Sequence, residues 1–159
     1  MSASAAALLC LVLTVQDGDS LRVRCEGEPP HSAPVTVRLH AVDAPEHGQP
    51  HGRRARQAMR EKVYRQQVQL HCVDTDAYGR RVCQVFKPAT ADTAQQDVGL
   101  AMIEDGLAWW YRPYAKAQTF ADRERYEQAE RQARNHHIGL WRDGEQAVPP
   151  WRWRRTQPR

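Results

Sequence analysis

Each of two turn sequences has one cysteine before it and one after it, at equal distances along the chain. This symmetry is the strongest constraint that the sequence places on the fold. The pairs are Cys10 and Cys25 around Asp17-Gly18, and Cys72 and Cys83 around Ala77-Tyr78. Facing residues of an antiparallel hairpin have a constant sum of residue numbers, so each pair is expected to lie across its own hairpin. An Asp-Gly dipeptide also favours a tight turn between strands. The spacing therefore predicts two antiparallel hairpins.

Two interpretations of the four cysteines remain open. A disulfide across each hairpin indicates an oxidising compartment, and we then expect a periplasmic or secreted protein. The alternative is four buried thiols in a reducing compartment. No CxxC spacing is present, which argues against a zinc ribbon or a thioredoxin-like motif.

The apolar segment 5–15 leads directly into the first turn, and no basic residue precedes it. It therefore lacks the form of an export signal, and we expect it to be the first strand. The segment is also too short to cross a bilayer core, which requires about 20 apolar residues. No membrane span is expected.

Alternating apolar residues predict an α+β fold built around a five-stranded OB-type β-barrel. The predicted strands cover residues 11–15, 21–25, 35–39, 68–73 and 81–86. One helix is expected between strands 3 and 4, with Pro50 in its first turn and Ala55, Met59 and Val63 at helical spacing.

Two C-terminal helices are expected to pack on this barrel. The first follows Asp97, which is a suitable N-cap residue. The second covers about residues 119–137, with Phe120, Tyr126, Ala129 and Ala133 on its apolar side.

The chain has 159 residues, of which 41% are apolar, and this length suits one sizeable core. We assign residues 9–141 to the folded domain, 1–8 to an N-terminal extension and 142–159 to a Pro/Trp/Arg-rich tail. Trp151 to Arg155 combine aromatic and cationic side chains, so the tail either stacks on single-stranded nucleic acid or docks its tryptophans on the domain. Docking is favoured, because Pro149-Pro150 precede this segment.

The net charge of +4 is divided unevenly along the chain. Residues 1–50 have a net charge of −3, and the remaining residues have +7. The acidic residues of the first part are Asp17, Asp19, Glu26, Glu28, Asp43 and Glu46. An acidic cluster within a basic surround suits a cation site beside a face that binds a polyanion, although unevenly spread surface charge gives the same count.

Three short motifs supply oxygen ligands, a base and two cations: Asp17-Gly18-Asp19-Ser20, the segment 37–46 and Tyr78-Gly79-Arg80. Asp19 and Asp43 follow different strands, and their carboxylates are ligands that a hard divalent cation prefers. Glu46 lies three residues after Asp43, where it can act as a general base. Arg38 and Arg80 can hold one phosphate from two sides. The set predicts metal-assisted hydrolysis of a phosphodiester.

Two other functions are compatible with a basic chain of this kind. One is a catalytically inactive OB-fold module that binds single-stranded nucleic acid, and the other is a secreted protein whose basic surface binds envelope polyanions. Binding alone requires neither paired carboxylates nor a base, and carboxylates repel a phosphate unless a cation neutralises them. The motif set therefore favours the enzyme.

The order and spacing of these motifs resemble the staphylococcal nuclease (thermonuclease-like) family over about residues 9–141, including Gly106-Leu107-Ala108 and Gly139-Leu140-Trp141. The resemblance implies a Ca²⁺-dependent endonuclease that cleaves DNA and RNA with little sequence specificity and leaves 3′-phosphate ends. No obligate protein partner is indicated.

The same resemblance assigns roles to the residues of the predicted metal and phosphate site. It implies that Asp19, Asp43 and the backbone carbonyl of Ala44 bind Ca²⁺. It also implies that Arg38 and Arg80 contact the scissile phosphate, and that Glu46 activates or orders the attacking water.

The resemblance further implies a set of nucleotide contacts. Tyr78 precedes Gly-Arg as in the family and is expected to contact the nucleotide. Tyr111 and Tyr114 lie near the family's base-stacking tyrosines, and local insertions and deletions leave open which of them stacks.

Overall fold

The computed structural model describes residues 7–158. The strands are β1 (Leu8–Asp17), β2 (Ser20–Cys25), β3 (Val35–Leu39), β4 (Val42–Asp43), β5 (Gln67–Thr75), β6 (Arg81–Lys87), β7 (Gln96–Asp97) and β8 (Trp109–Trp110). The helices are α1 (Gly52–Val63), α2 (Val98–Glu104), α3 (Phe120–Asn135) and α4 (Pro150–Thr156), with 3₁₀ helices at Arg112–Ala117 and Gly139–Gln146. Most of the predicted extension 1–8 lies outside the described residues, and Leu8 already belongs to β1.

Strands β1, β2, β3, β5 and β6 form a closed barrel, which confirms the predicted fold class. They are antiparallel neighbours in the order β3-β2-β1-β5-β6, and β3 pairs in parallel with β6 to close the barrel. The short strands β4, β7 and β8 were not predicted; β7 extends the sheet beside β6, and β4 pairs with β8. No helix within residues 7–158 is long and apolar enough to cross a membrane.

Both predicted hairpins are confirmed. Cys10 faces Cys25 across β1 and β2, and Cys72 faces Cys83 across β5 and β6. A disulfide joins each pair, so none of the cysteines in the described part of the chain is free.

Helix α1 connects β4 to β5, but Pro50 lies before it and not, as was predicted, in its first turn. Pro50 precedes the helix, because the backbone amide of Gly52 donates to Gln49 and His51 adopts a left-handed conformation with φ 69°. Ala55, Met59 and Val63 are fully buried against the barrel, as their helical spacing predicts.

The two following helices agree with the prediction except at one position. The Asp97 carboxylate accepts a hydrogen bond from the amide of Leu100 and caps α2. Tyr126, Ala129 and Ala133 of α3 are buried, but Phe120 is 68% exposed. Phe120 is the first residue of α3 and lies before the buried part of the helix, so its predicted place in the core is wrong.

The segment beyond Trp141 is more ordered than its lack of periodicity indicated, because it contains part of a 3₁₀ helix and α4. Trp109, Ala133, Leu140 and Trp141 form a small second core, and Trp151 packs against it. The predicted docking of a tail tryptophan on the domain is therefore confirmed for Trp151.

Candidate active site

Two carboxylates meet at Arg38, where the β1–β2 turn lies beside the end of β3. The backbone carbonyl of Asp19 accepts a hydrogen bond from Leu39, which holds the turn against β3. The Nη1 atom of Arg38 lies 3.0 Å from Asp19 Oδ2, and its Nη2 atom lies 3.3 Å from Asp43 Oδ1. The amide of Ala44 donates to Asp19 Oδ2 at 2.8 Å. Sheet pairing thus brings residues from two distant motifs into one connected group.

The charges of this group depend on one another. Burial disfavours the charged form of Arg38, but the carboxylates of Asp19 and Asp43 outweigh this effect and raise its pKa above the ordinary value. Burial raises the pKa of Asp43, whose side chain is completely shielded from solvent, while the guanidinium groups around it act in the opposite direction. An ionised Asp43 therefore needs a cation beside it.

Glu46 is held by a turn that keeps its side chain near Asp43. The amide of Glu46 donates to the side chain of Gln49 at 2.9 Å, and the amide of Gln49 donates to the carbonyl of Glu46 at 3.0 Å. The Glu46 side chain remains 32% exposed, so water can reach its carboxylate.

Arg154 from α4 contacts the same carboxylates. Its Nη1 and Nη2 atoms lie 3.1 Å and 2.9 Å from the two carboxylate oxygens of Asp43. The Nη1 atom also lies 2.6 Å from Glu46 Oε1. Burial disfavours the charge on Arg154, but the hydrogen bonds to Asp43 and Glu46 raise its pKa above the ordinary value.

The turn between β5 and β6 presents Arg80. The carboxylate of Asp76 accepts hydrogen bonds from the backbone amides of Tyr78 and Arg80 at 2.9 Å each, and it pairs with Arg80 Nε at 2.7 Å. Burial opposes the ionisation of Asp76, but the hydrogen bonds from Arg80 outweigh it and lower the pKa below the ordinary value. Asp76 thus fixes the direction of the Arg80 guanidinium.

Three tyrosines lie at the same site. Tyr78 is 86% exposed, and the Arg80 guanidinium lies 5.5 Å from its ring centre. The rings of Tyr111 and Tyr114 lie 5.3 Å apart, and the amide of Tyr111 donates to Ala41 next to β4. All three line the same groove as Arg38 and Arg80.

These side chains line one groove of about 510 Å³. Its lining consists of Asp17, Asp19, Arg38, Glu46, Tyr78, Arg80, Tyr111, Tyr114 and Arg154. Asp43 and Ala44, the remaining predicted site residues, are buried and contact the groove residues Arg38 and Asp19. The structure therefore brings together all the residues that the motifs indicated.

The oxygen donors of the groove fit a hard divalent cation. No group of three or more His, Cys, Asp or Glu side chains within residues 7–158 is arranged to hold a metal ion. Two carboxylates and a carbonyl are a smaller set, and Ca²⁺ takes about 6 to 8 oxygen ligands, so water or substrate must supply the rest. The guanidinium of Arg154 between Asp43 and Glu46 shows that these oxygens attract a cation.

Two residues that line the groove, Asp17 and Arg154, and the Arg80 partner Asp76 were not among the predicted site residues. Asp76 had a local signal, because an Asp that opens a turn commonly accepts hydrogen bonds from the following amides. Asp17 belongs to the Asp-Gly turn, and burial, with the charges of Asp19 and Glu46 added, raises its pKa. Arg154 is separated from Asp43 by 111 residues, and no pattern in the sequence indicates their contact.

Comparison with known proteins agrees with this geometry. The family described as "Staphylococcal nuclease homologue" matches residues 36–143. A micrococcal nuclease of Shigella flexneri is 37% identical over 91% of this chain and 79% of its own length. Protein ParB of Escherichia coli is 40% identical over 91% of this chain and 77% of its own length. An uncharacterized endonuclease of Haemophilus influenzae is 30% identical over 93% of this chain and 74% of its own length.

Proposed function

The chain belongs to the staphylococcal nuclease family and is a nuclease, and we propose that it hydrolyses phosphodiester bonds of DNA and RNA in a Ca²⁺-dependent reaction. The proposal includes endonucleolytic cleavage with little sequence specificity and 3′-phosphate products. The observation that carries it is the convergence of Arg38, Arg80 and Glu46 with Asp19 in one groove.

The side chains of the groove have different roles in this reaction. Arg38 and Arg80 bind the phosphate oxygens, and their partners Asp19, Asp43 and Asp76 hold the two guanidinium groups in place. Loss of one such preorganised donor typically costs about 3 to 4 kcal/mol of transition-state stabilisation.

Glu46 accepts a proton from the attacking water, for which its exposed fraction is suited. To leave a 3′-phosphate, the bond between phosphorus and the 5′ oxygen of the next nucleotide breaks, and that oxygen takes up a proton. The tyrosines Tyr78, Tyr111 and Tyr114 contact the nucleotides on either side of this bond.

Asp19, Asp43 and the carbonyl of Ala44 are the residues that would hold Ca²⁺, which when bound supplies positive charge to the phosphate oxygens. This role explains why buried carboxylates are placed beside two phosphate-binding arginines. Without a cation, the same carboxylates repel a polyanion. A module that only binds single-stranded nucleic acid gains nothing from them.

Digestion of single-stranded DNA, duplex DNA and RNA with Ca²⁺, and again with excess chelator, tests the proposal. We expect cleavage of all three substrates with Ca²⁺ and none with chelator. The 3′ ends should resist extension by a polymerase until a phosphatase has treated them. Binding without cleavage under every condition would instead identify a nucleic-acid-binding module.

We also propose that the protein is periplasmic or secreted, because each hairpin of the barrel contains a disulfide. The intact mass of the purified protein should increase by four hydrogens on reduction, two for each disulfide. An unchanged mass would show that the cysteines are thiols, and the proposed location would then lose its support.

A further inference from the structure

Arg154 lies outside the part of the chain that matches the nuclease family, yet it lines the groove. The family match ends at residue 143, and α4 begins at Pro150. Arg154 nevertheless contacts both carboxylate oxygens of Asp43 and one of Glu46. A residue from the tail therefore makes contacts with two residues that the proposed reaction uses.

A divalent cation bound to the same carboxylates would replace these contacts. Arg154 neutralises Asp43, which has no exposed side-chain surface and cannot stay ionised alone at low cost. Its Nη1 atom also donates to Glu46 Oε1 at 2.6 Å, so the guanidinium takes the place at this oxygen that an attacking water would need. Arg154 and Ca²⁺ thus compete for the oxygens of Asp43, and Glu46 is free to act only when Arg154 has moved.

Contacts of Trp151 and Val148 anchor α4 and the segment before it on the domain, so rotation of the Arg154 side chain alone is enough to release the carboxylates. The ring of Trp151 lies 6.2 Å from that of Trp109 and 5.7 Å from that of Tyr111. The side chain of Gln49 donates to the carbonyl of Val148 at 2.6 Å. The side chain of Arg154 is itself 41% exposed, which leaves room for it to turn away from the two carboxylates.

We propose that Arg154 is a positioning residue that holds Asp43 and Glu46 in the absence of Ca²⁺ and that Ca²⁺ must displace. This inference rests on the Ca²⁺ site of the proposed function. Displacement frees the Arg154 guanidinium from the carboxylates, so that a third cation beside Arg38 and Arg80 is available to substrate phosphates. The proposal predicts that Arg154 weakens the apparent affinity for Ca²⁺.

Calorimetric titration of chelator-treated protein with Ca²⁺ tests this proposal. If Arg154 occupies the carboxylates about nine-tenths of the time, its removal should tighten Ca²⁺ binding about tenfold. We therefore expect tighter binding in Arg154→Met. In Arg154→Gln the side-chain amide can still donate to Asp43. This variant therefore provides a second measurement if Arg154→Met does not fold. Arg152→Met removes the same charge from an exposed position of α4 and should bind Ca²⁺ as the wild type does.

The outcomes separate this inference from the proposed function. Equal or weaker binding of Ca²⁺ by both Arg154 variants would overturn the competition and leave the Ca²⁺ site intact. Absence of Ca²⁺ binding in every protein would overturn the Ca²⁺ site and the competition together. A mere structural defect lowers affinity, so a gain in affinity is specific to competition.

A second groove, on the other side of Tyr111, supports an independent inference. It has a volume of about 280 Å³ and is lined by Trp110, Tyr111, Arg112, Pro113, Trp151 and Arg155. Tyr111 lines both grooves, so the two adjoin at this residue. The lining combines aromatic rings with two cations, of which Arg112 lies 4.7 Å from the ring centre of Trp110.

From this geometry we infer that the second groove binds a nucleotide of single-stranded nucleic acid beyond the scissile bond, with its base against Trp151 and its phosphate at Arg155. Aromatic rings beside cations are how proteins hold single strands without sequence preference. A strand that leaves the active site past Tyr111 enters this groove directly.

Binding of labelled DNA of two and of six nucleotides to Arg155→Ala, measured by fluorescence anisotropy with chelator present to prevent cleavage, tests the second inference. We expect at least about a threefold loss of affinity for the longer strand and no change for the shorter one. Arg152→Ala is the matched control for the lost charge. An equal loss for both lengths, or no loss beyond that of the control, would contradict the assignment.

Discussion

Water can reach the Glu46 carboxylate in the groove, whereas Asp43 beside it is buried. Exchange of Glu46 for Gln keeps the shape of the side chain and removes its basicity. We expect Glu46→Gln to lower the turnover rate by about 10²-fold or more, the usual contribution of a general base, with substrate affinity largely kept. Single-turnover cleavage measures the first quantity, and binding in chelator measures the second.

The control for this prediction is Glu124→Gln, which changes an exposed residue of α3 and should leave both quantities unchanged. Unchanged turnover in Glu46→Gln would remove Glu46 from the mechanism. A parallel loss of turnover and affinity would instead indicate a role in binding.

His40 follows β3, and the centre of its ring lies 5.8 Å from that of Tyr114 in the groove. It is 5% exposed, and neither ring nitrogen has a hydrogen-bond partner among the described residues. Burial lowers its pKa below the ordinary value, although Asp122 and Asp97 act in the opposite direction. The unfolded chain therefore binds a proton near the ordinary pKa of about 6.5 while the folded chain does not, and His40 makes stability fall as the pH is lowered from there.

We expect His40→Phe, which keeps a ring of similar size, to reduce this loss of stability below a pH of about 6.5. Urea denaturation at several pH values measures the slope. His31→Phe changes an exposed histidine and should retain the wild-type slope. An unaltered slope in His40→Phe would show that His40 is protonated equally in both states.

At the scale of the element, the end of α2 and the segment after α3 meet at two glycines. Gly139 has a φ of +61°, and the amide of Leu140 donates to the carbonyl of Gly106 at 2.8 Å. A Cβ atom at Gly139 would overlap the backbone carbonyl of Gly106. We expect Gly139→Ala to lower the free energy of unfolding by about 2 to 4 kcal/mol, from the left-handed conformation and the overlap together.

Gly27→Ala separates these two effects. Gly27 also has a positive φ, of +83°, but a Cβ atom there meets nothing within 4 Å. Its cost should be about 1 kcal/mol, that of the backbone conformation alone. Equal losses in urea denaturation of the two variants would contradict the role of the Gly106 contact.

Local patterns predicted those elements whose partners lie close in the sequence. The hairpins followed from the cysteine symmetry, and α2 followed from its cap Asp97. The short strands β4 and β8 were missed, because a two-residue bridge such as Val42 with Trp110 depends on tertiary contact rather than on periodicity. Helix α4 was missed for the same reason, since its one buried residue is Pro150 and its sequence has no apolar stripe.

At the scale of the whole molecule, the barrel brings acidic and basic residues from different parts of the sequence into one groove. The acidic first part of the chain, with a net charge of −3, contributes Asp17, Asp19 and Glu46. The basic remainder contributes Arg80 and Arg154 to the same groove. The motifs predicted most of this set because their residues follow strand ends that the barrel brings together. The contact of Arg154 with Asp43 depends on the final docking of α4, which the order of motifs does not contain.

This mixture of charges predicts how a cation affects nucleic-acid binding. An ordinary salt weakens the binding of a basic protein to DNA because it competes for the phosphates. At the proposed site Ca²⁺ would also neutralise carboxylates that repel the substrate, so exchange of K⁺ for Ca²⁺ at constant ionic strength should strengthen binding. We expect the cleavage-deficient Glu46→Gln variant to bind labelled single-stranded DNA at least about fivefold more tightly in Ca²⁺, measured by fluorescence anisotropy. Further exchange of Asp19 for Asn in that variant should abolish this gain in affinity for DNA. Weaker binding in Ca²⁺ than in K⁺ would contradict the prediction and show that the ion acts on the DNA alone.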